Sequence, residues 1–305
     1  MKFGVNLINF GPSANPARLK SWAQLTEALG FHHLLISDHL AVTRDVATKY
    51  PAPFYEPIST LGWLAGVTER VMIGTTVLIV PYRSPLEVAK SFANIDQLSG
   101  GRVILGVGAG WAEQEFNALN APFKNRGAVT DEYIDAIKTL WSQNPASFNG
   151  EFVQFDGISS APAPVQRPHP PIWVGGASGI SMRRAVRVGT GWHPVSFRLD
   201  WFRNDGVPKL RAFAETAEKL MPDLCPRIRL RITEQPLPED SRLTGEGTLD
   251  QIRADINVLA ELGCSHVLLD TYFAEGDPAW NVDSAWRMLT MMAEQVLDVP
   301  GGTLR

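Results

Sequence analysis

Two short runs in this chain carry side chains able to do chemistry. Ser37-Asp38-His39 closes the apolar stretch His33 to Ile36 and sets an imidazole beside a carboxylate. An imidazole at a strand end can transfer a proton near neutral pH; bonded to a loop carbonyl it is structural, and both readings of His39 stand. Gly175-Gly176-Ala177-Ser178 is the second run. Small residues ahead of a helix expose its first unpaired N–H groups, which suits a phosphate, although a plain glycine turn needs the same residues. A third run, Gly106-x-Gly108-x-Gly110, falls short of a dinucleotide fingerprint. Trp111 stands where the third glycine belongs, and no acidic strand end follows about 20 residues on. It reads as a tight turn around Gly108.

Other chemistries are excluded by what is missing. No His-x-His opens the first strand, and Cys225 and Cys264 have no metal-ligand spacing, so no metal is expected. None of the lysines falls at a strand end, which removes a Schiff-base aldolase. A net charge of −4 without a long basic run excludes nucleic acid as the main partner. The sequence starts directly in a strand and holds no apolar run of 18 residues, so neither a signal peptide nor a membrane span is expected, and the cytoplasm is the expected compartment.

The elements that must position these residues repeat. Val71 to Val80 is a β-branched run fit for a strand covered on both faces. Ser84, Pro85 and Glu87 then open a helix with a capping box, Gly100-Gly101 ends it, and a second strand runs from Val103 to Val107. Strand, helix, strand is a parallel crossover unit. The same pattern starts at Phe3 to Ile8 and continues through Ile172 to Gly176, Gly191 to Ser196 and His266 to Asp270. Arg227 to Ile232 is the irregular member, because it alternates. A helix is expected around Leu210 to Leu220, and His32 is expected to face solvent. At 305 residues with 45% hydrophobic content, the chain fits one (β/α)8 TIM barrel over 1–305. Insertions follow strands 2, 4 and 7, and a further one spans about 144–171. Active sites of such barrels lie at the C-terminal strand ends. That rule gathers Asn9, Ser37 to His39, Thr76 to Arg83, Gly108 to Trp111, Gly175 to Ser178, His193 and Asp270 to Tyr272.

Taken together, the motifs resemble the bacterial luciferase-like superfamily, in its deazaflavin (coenzyme F420)-dependent oxidoreductase branch. The resemblance rests on Ile36-Ser37-Asp38-His39, Tyr55-Glu56-Pro57, Gly74-Thr75-Thr76-Val77, Pro81-Tyr82-Arg83-Ser84-Pro85, Leu98-Ser99-Gly100-Gly101-Arg102, Gly110-Trp111, Glu115-Phe116 and Pro171 to Gly176. It implies a homodimer holding a flavin or deazaflavin at the barrel mouth. Asp38 and His39 would border the ring, with His39 the proton-transfer residue. Thr76 and Val77 would form the bulge behind the ring, joined by a cis peptide. Gly108 would lie in the cofactor site, and Gly175, Gly176, Ala177 and Ser178 would receive the cofactor phosphate. Some members place a catalytic glutamate directly after the strand-four glycine turn. Trp111 occupies that place here, so Glu113 or Glu115 can serve only if the loop folds back. Arg83 is either a partner for an anionic cofactor tail or a solvent-exposed arginine. The implied activity is hydride transfer between coenzyme F420 and a small organic substrate. The alternatives are an FMN-dependent monooxygenase supplied by a separate reductase, or a non-catalytic flavin-binding barrel.

Overall fold

A computed structural model describes residues 1–273 and 281–305. Eight parallel strands form its barrel: β1 (Lys2–Leu7), β2 (His33–Ile36), β3 (Met72–Thr75), β4 (Val103–Gly108), β5 (Ile172–Gly175), β6 (Gly191–His193), β7 (Arg227–Arg229) and β8 (His266–Asp270). The helices following them are α1 (Pro16–Ala28), α2 (Pro57–Val67), α3 (Pro85–Ser99), α4 (Arg126–Ser142), α5 (Gly179–Val188), α6 (Val207–Thr216), α7 (Leu249–Glu261) and α8 (Val282–Met291). Strand β1 pairs with β2 on one side and β8 on the other, Lys2 opposite His266. The stretch Asp223–Arg229 closes the ring. Its first residues pair with β6, and Arg227 to Arg229 pair with β8. The alternating run Arg227 to Ile232 is therefore only half a barrel strand. Arg231–Ile232 turns away to pair with Glu246–Gly247 in the long connection after β7.

Strong local signals set the helix ends. Asn15 Oδ1 accepts from the Arg18 amide ahead of α1, and Thr248 and Gln251 cap α7 reciprocally. Ser84 accepts from the Leu86 amide alone, so α3 opens with a single cap rather than the expected capping box. The insertion carries a hairpin, Ala146–Asn149 against Gln154–Ile158. Two other expectations fail. Helix α6 stops at Thr216, leaving Leu220 94% exposed. His32 is half-buried, its Nδ1 accepting from the Phe3 amide.

The main core lies between strands and helices and takes Phe3, Val5 and Leu7 of β1, Leu34 and Ile36 of β2, and Val103, Leu105 and Val107 of β4. The alternate positions face the lumen. Its apolar plug is small: Leu35, Ile104, Trp173, Cys225 and Leu268. Around it stand polar side chains, His33 and His266 beside Trp173 and, nearer the mouth, Asn6, His193, Arg227 and Asp270. Such lumens are more often filled with branched apolar residues.

Candidate active site

The run Val71 to Val80 does not stay one strand. It leaves β3 at Thr75, and Leu78–Ile79 resumes alongside Val107–Gly108 of β4. The Thr76–Val77 peptide between them is cis. Glycines make room for this turn. A Cβ on Gly108 would meet Val77 Cγ2 at 2.7 Å, and one on Gly175 would meet Val77 Cγ1 at 3.0 Å. The Val77 side chain thus occupies space that only two glycines of neighbouring strands leave free.

Both ends of the turn are gripped by charged groups. Asp38 Oδ2 accepts from the Ile79 amide at 2.8 Å. Arg83 binds both Asp38 oxygens, at 2.8 and 2.9 Å, and reaches Glu56 Oε1 at 2.9 Å. The side chain of Arg83 is 6% exposed and lies between two carboxylates. It is thus neither a solvent-exposed arginine nor a free cation for an anionic tail. Asp38 contributes placement, because its oxygens are already engaged. At the other end Arg227 Nη1 donates to Thr76 O at 2.9 Å and to Thr76 Oγ1 at 3.2 Å. His193 Nδ1 lies 2.5 Å from the Cys225 carbonyl, which can only accept, so Nδ1 carries the proton and Nε2 accepts from the Thr76 hydroxyl at 2.8 Å. Burial pushes the His193 imidazolium down to about pKa 4, with the Arg227 charge adding to the effect.

The loop after β4 does fold back. Its short helix Glu113–Ala118 buries Glu115 completely and leaves Glu113 exposed. Glu115 Oε2 lies 2.5 Å from His39 Nδ1 and 2.9 Å from the Tyr82 hydroxyl, while Oε1 accepts from the Leu40 and Ala41 amides at 2.7 and 2.9 Å. Burial alone would raise the Glu115 pKa, but the bonds from His39 and these amides outweigh it and hold the carboxyl below its ordinary range. Tyr82 is driven upward by burial and by Glu115, so it remains a donor. An ionised carboxylate only accepts, which places the His39 proton on Nδ1 and leaves Nε2 as the basic nitrogen. Nε2 has no partner among the described residues.

Aromatic rings surround this imidazole: Tyr50 at 5.3 Å, Phe54 at 5.4 Å and Trp111 at 5.9 Å between centroids. One lysine reaches the mouth after all, from a loop rather than a strand end. Lys49 Nζ lies 4.3 Å from the Trp111 ring centroid.

The turn Gly175 to Ser178 lies across the mouth. Gly176 has φ +106°, a left-handed value that strains any other residue, and its carbonyl accepts from Trp192 Nε1. Ser178 caps α5 by accepting from the Ser181 amide. Ala177 lines a cavity of about 420 Å³ with Met182, Trp201, Asn204 and Lys209. A larger cavity of about 640 Å³, beside Arg198, Asp240 and Arg242, shares none of the mouth residues. Among the described residues no three His, Cys, Asp or Glu side chains are grouped to hold a metal, and no helix is long and apolar enough to cross a membrane.

Asp38, His39, Thr76, Val77, Gly108 and the turn Gly175 to Ser178 all lie at the C-terminal strand ends. Sequence reasoning missed Arg227 as a site residue, placed Tyr82 at the mouth without a role, and left Glu115 open beside Glu113. The one local signal for Glu115 was its place beside Phe116, a side chain that must be buried.

The profile of the luciferase-like monooxygenases matches residues 1–235. An uncharacterised protein of Mycobacterium tuberculosis is 33% identical over 238 residues, 70% of this chain and 83% of its own. The FMNH2-dependent dimethylsulfone monooxygenase of Pseudomonas putida is 32% identical over 187 residues, 60% of this chain and 47% of its own. The F420-dependent glucose-6-phosphate dehydrogenase of Amycolatopsis mediterranei is 29% identical over 226 residues, 72% of this chain and 65% of its own. Among solved structures, an F420-dependent secondary alcohol dehydrogenase superimposes with a TM-score of 0.77 at 19% identity, over 98% of this chain and 99% of its own.

Proposed function

Because the chain belongs to the luciferase-like monooxygenase family, we propose that it is an oxidoreductase moving a hydride between coenzyme F420 and a small organic substrate. The observation that carries this reading is the His39–Glu115 pair, whose imidazole lies among aromatic rings with Nδ1 engaged and Nε2 without a partner among the described residues. Bound coenzyme F420 supplies a two-electron hydride acceptor or donor. The residues fit such a group. The turn at Thr76 and Val77 is braced from behind by Arg227 and Asp38, as backing for a flat ring requires. The first amides of α5, beside exposed Ala177 and Ser178 and near Lys209, suit its phosphate.

In the oxidative direction the substrate carbon loses a hydride and its hydroxyl loses a proton, leaving a carbonyl. His39 Nε2 takes the proton. Glu115 stabilises the imidazolium formed, and Tyr82 with the Leu40 and Ala41 amides keeps Glu115 ionised and in place.

The second reading is an FMN-dependent monooxygenase, which the Pseudomonas putida relative favours. Fluorescence titration with coenzyme F420 and with FMN under one set of conditions separates them. Tighter binding of F420 supports hydride transfer. Tighter binding of FMN with oxygen consumption supports the monooxygenase, and binding of neither leaves a non-catalytic barrel.

A further inference from the structure

The lumen beneath the Thr76–Ile79 turn contains an ion pair whose charge the proton transfer at His39 does not use. Arg227 donates through Nε and Nη2 to Asp270 Oδ2 at 3.0 and 2.7 Å. Asp270 Oδ1 accepts from Asn6 Nδ2 at 2.8 Å and from the Tyr272 amide at 3.1 Å. The two side chains are 9% and 10% exposed, so the pair borders the mouth without being solvated by it. It is neutral overall but oriented. Its positive end touches Thr76 through Nη1, and its negative end is turned towards Asn6 and β8.

A guanidinium has five N–H groups, and Arg227 makes four hydrogen bonds with them, two to Asp270 and two to Thr76. Holding β3 to β7 would need no more than one neutral donor to the Thr76 carbonyl, and a neutral donor would not need a buried carboxylate to balance it. The opposite end of the turn carries the opposite sign, since the Ile79 amide is bonded to Asp38, whose cation Arg83 is shared with Glu56. The turn that would back the ring therefore lies in a directed field, positive at Thr76 and negative at Ile79. The His193 imidazole, bonded to the same Thr76 hydroxyl, is neutral and adds no charge of its own.

Resting on the reading that the cofactor ring docks against this turn, we infer that Arg227 is a positioning residue that sets the redox poise of the site. A hydride brings two electrons and one proton, so its transfer leaves the acceptor ring one unit more negative while the substrate becomes a carbonyl and its second proton passes to His39. Arg227, acting across the Thr76 peptide, stabilises that added charge, and Asp270 limits how strongly.

The test is the midpoint potential of the bound cofactor, with coenzyme F420 or FMN as the probe, whichever the wild-type protein binds. In Arg227→Met the ratio of affinities for reduced and oxidised forms should fall about tenfold or more, which is about 30 mV for a two-electron couple. In Asp270→Asn it should rise, and Arg227→Lys should stay near wild type. Opposite signs are the signature, because loosening of the floor would move Arg227→Met and Asp270→Asn the same way. If Arg227→Met does not fold, a raised potential in Asp270→Asn still carries the inference. Unchanged potentials, or shifts of one sign, overturn it while leaving the proposed function intact. A wild-type protein binding neither probe removes both.

Discussion

His39 Nδ1 and Glu115 Oε2 lie 2.5 Å apart although 76 positions separate them in the chain. One belongs to the loop after β2 and the other to the loop after β4, and the bond latches the two over the mouth. The carboxylate fixes the imidazole tautomer, so proton transfer falls to Nε2.

Replacing that imidazole should cost turnover rather than cofactor affinity. In His39→Ala, kcat is expected to fall by roughly 10²–10⁴, with the F420 dissociation constant within a few-fold of wild type. Steady-state kinetics beside a fluorescence titration checks this, and unchanged turnover would make His39 structural.

Glu115→Gln keeps the shape and removes the charge. Because the native carboxyl titrates below its ordinary value of 4.5, its ionised form stabilises the fold above that pH, and the contribution is lost as pH falls through the native value. The variant should be roughly 1–3 kcal/mol less stable than wild type at pH 7. That gap should close below pH 4.5. Urea unfolding at pH 7 and pH 4 measures it, and a gap that widens in acid would contradict the sign.

The buried imidazoles add a second acid-sensitive window. His193 ionises near 4 in the fold against an ordinary 6.5, through burial first, so the unfolded chain binds the extra proton between those values. Stability should be complete above pH 6.5 and fall towards pH 4. His193→Gln should flatten that fall by at most about 1.4 kcal/mol per pH unit. Melting temperatures from pH 7 to pH 4 show whether the slopes differ. His266, pushed to about 3 by burial, continues the same trend in both proteins.

For the phosphate turn, Ala177→Asp is a cleaner probe than any change at Gly176. A side chain at Gly176 would be strained at φ +106° and would meet Ser181 Oγ at 3.0 Å, lowering stability along with affinity. Ala177 is exposed, and an acid near a helix N-terminus does not destabilise the helix. The variant should bind F420 at least tenfold more weakly, with its apo melting temperature unchanged or slightly raised. Equal affinity would send the phosphate elsewhere.

Arg83→Met should act through the fold. It leaves Asp38 buried against the Ile79 amide without its cation, at a cost of about 3–5 kcal/mol. Denaturant unfolding gives the loss directly, and a change below 1 kcal/mol would mean that Asp38 takes a proton or a water instead.

Features set by adjacent residues were legible in the sequence. Pro85 and Gly100 bound α3, and Thr248 and Gln251 start α7, through bonds spanning a few residues. The strand ends followed from the barrel. The break in Val71 to Val80 was not visible in that run's own residues, because it depends on room for Val77 left by Gly108 and Gly175. Only the family resemblance placed the bulge there. Arg227 was hidden for a related reason. Its alternation marked a strand with one polar face, and Arg227 on that face is bonded to Asp270 in the lumen rather than lying in solvent. Glu115 needed a contact across two loops, which no periodicity encodes.

The pairing of β1 with β8 bears on how the chain reaches this state. Phe3, Gly4 and Val5 find their partners at Val267, Leu268 and Leu269. One edge of the first strand therefore waits for nearly the whole chain to be made, and its loop-closure entropy is lost before that ladder forms. Until then Gly4 to Leu7 pair only with β2, presenting an open strand edge that can pair with other chains. Slow refolding, and aggregation that rises with protein concentration during refolding, follow from that geometry.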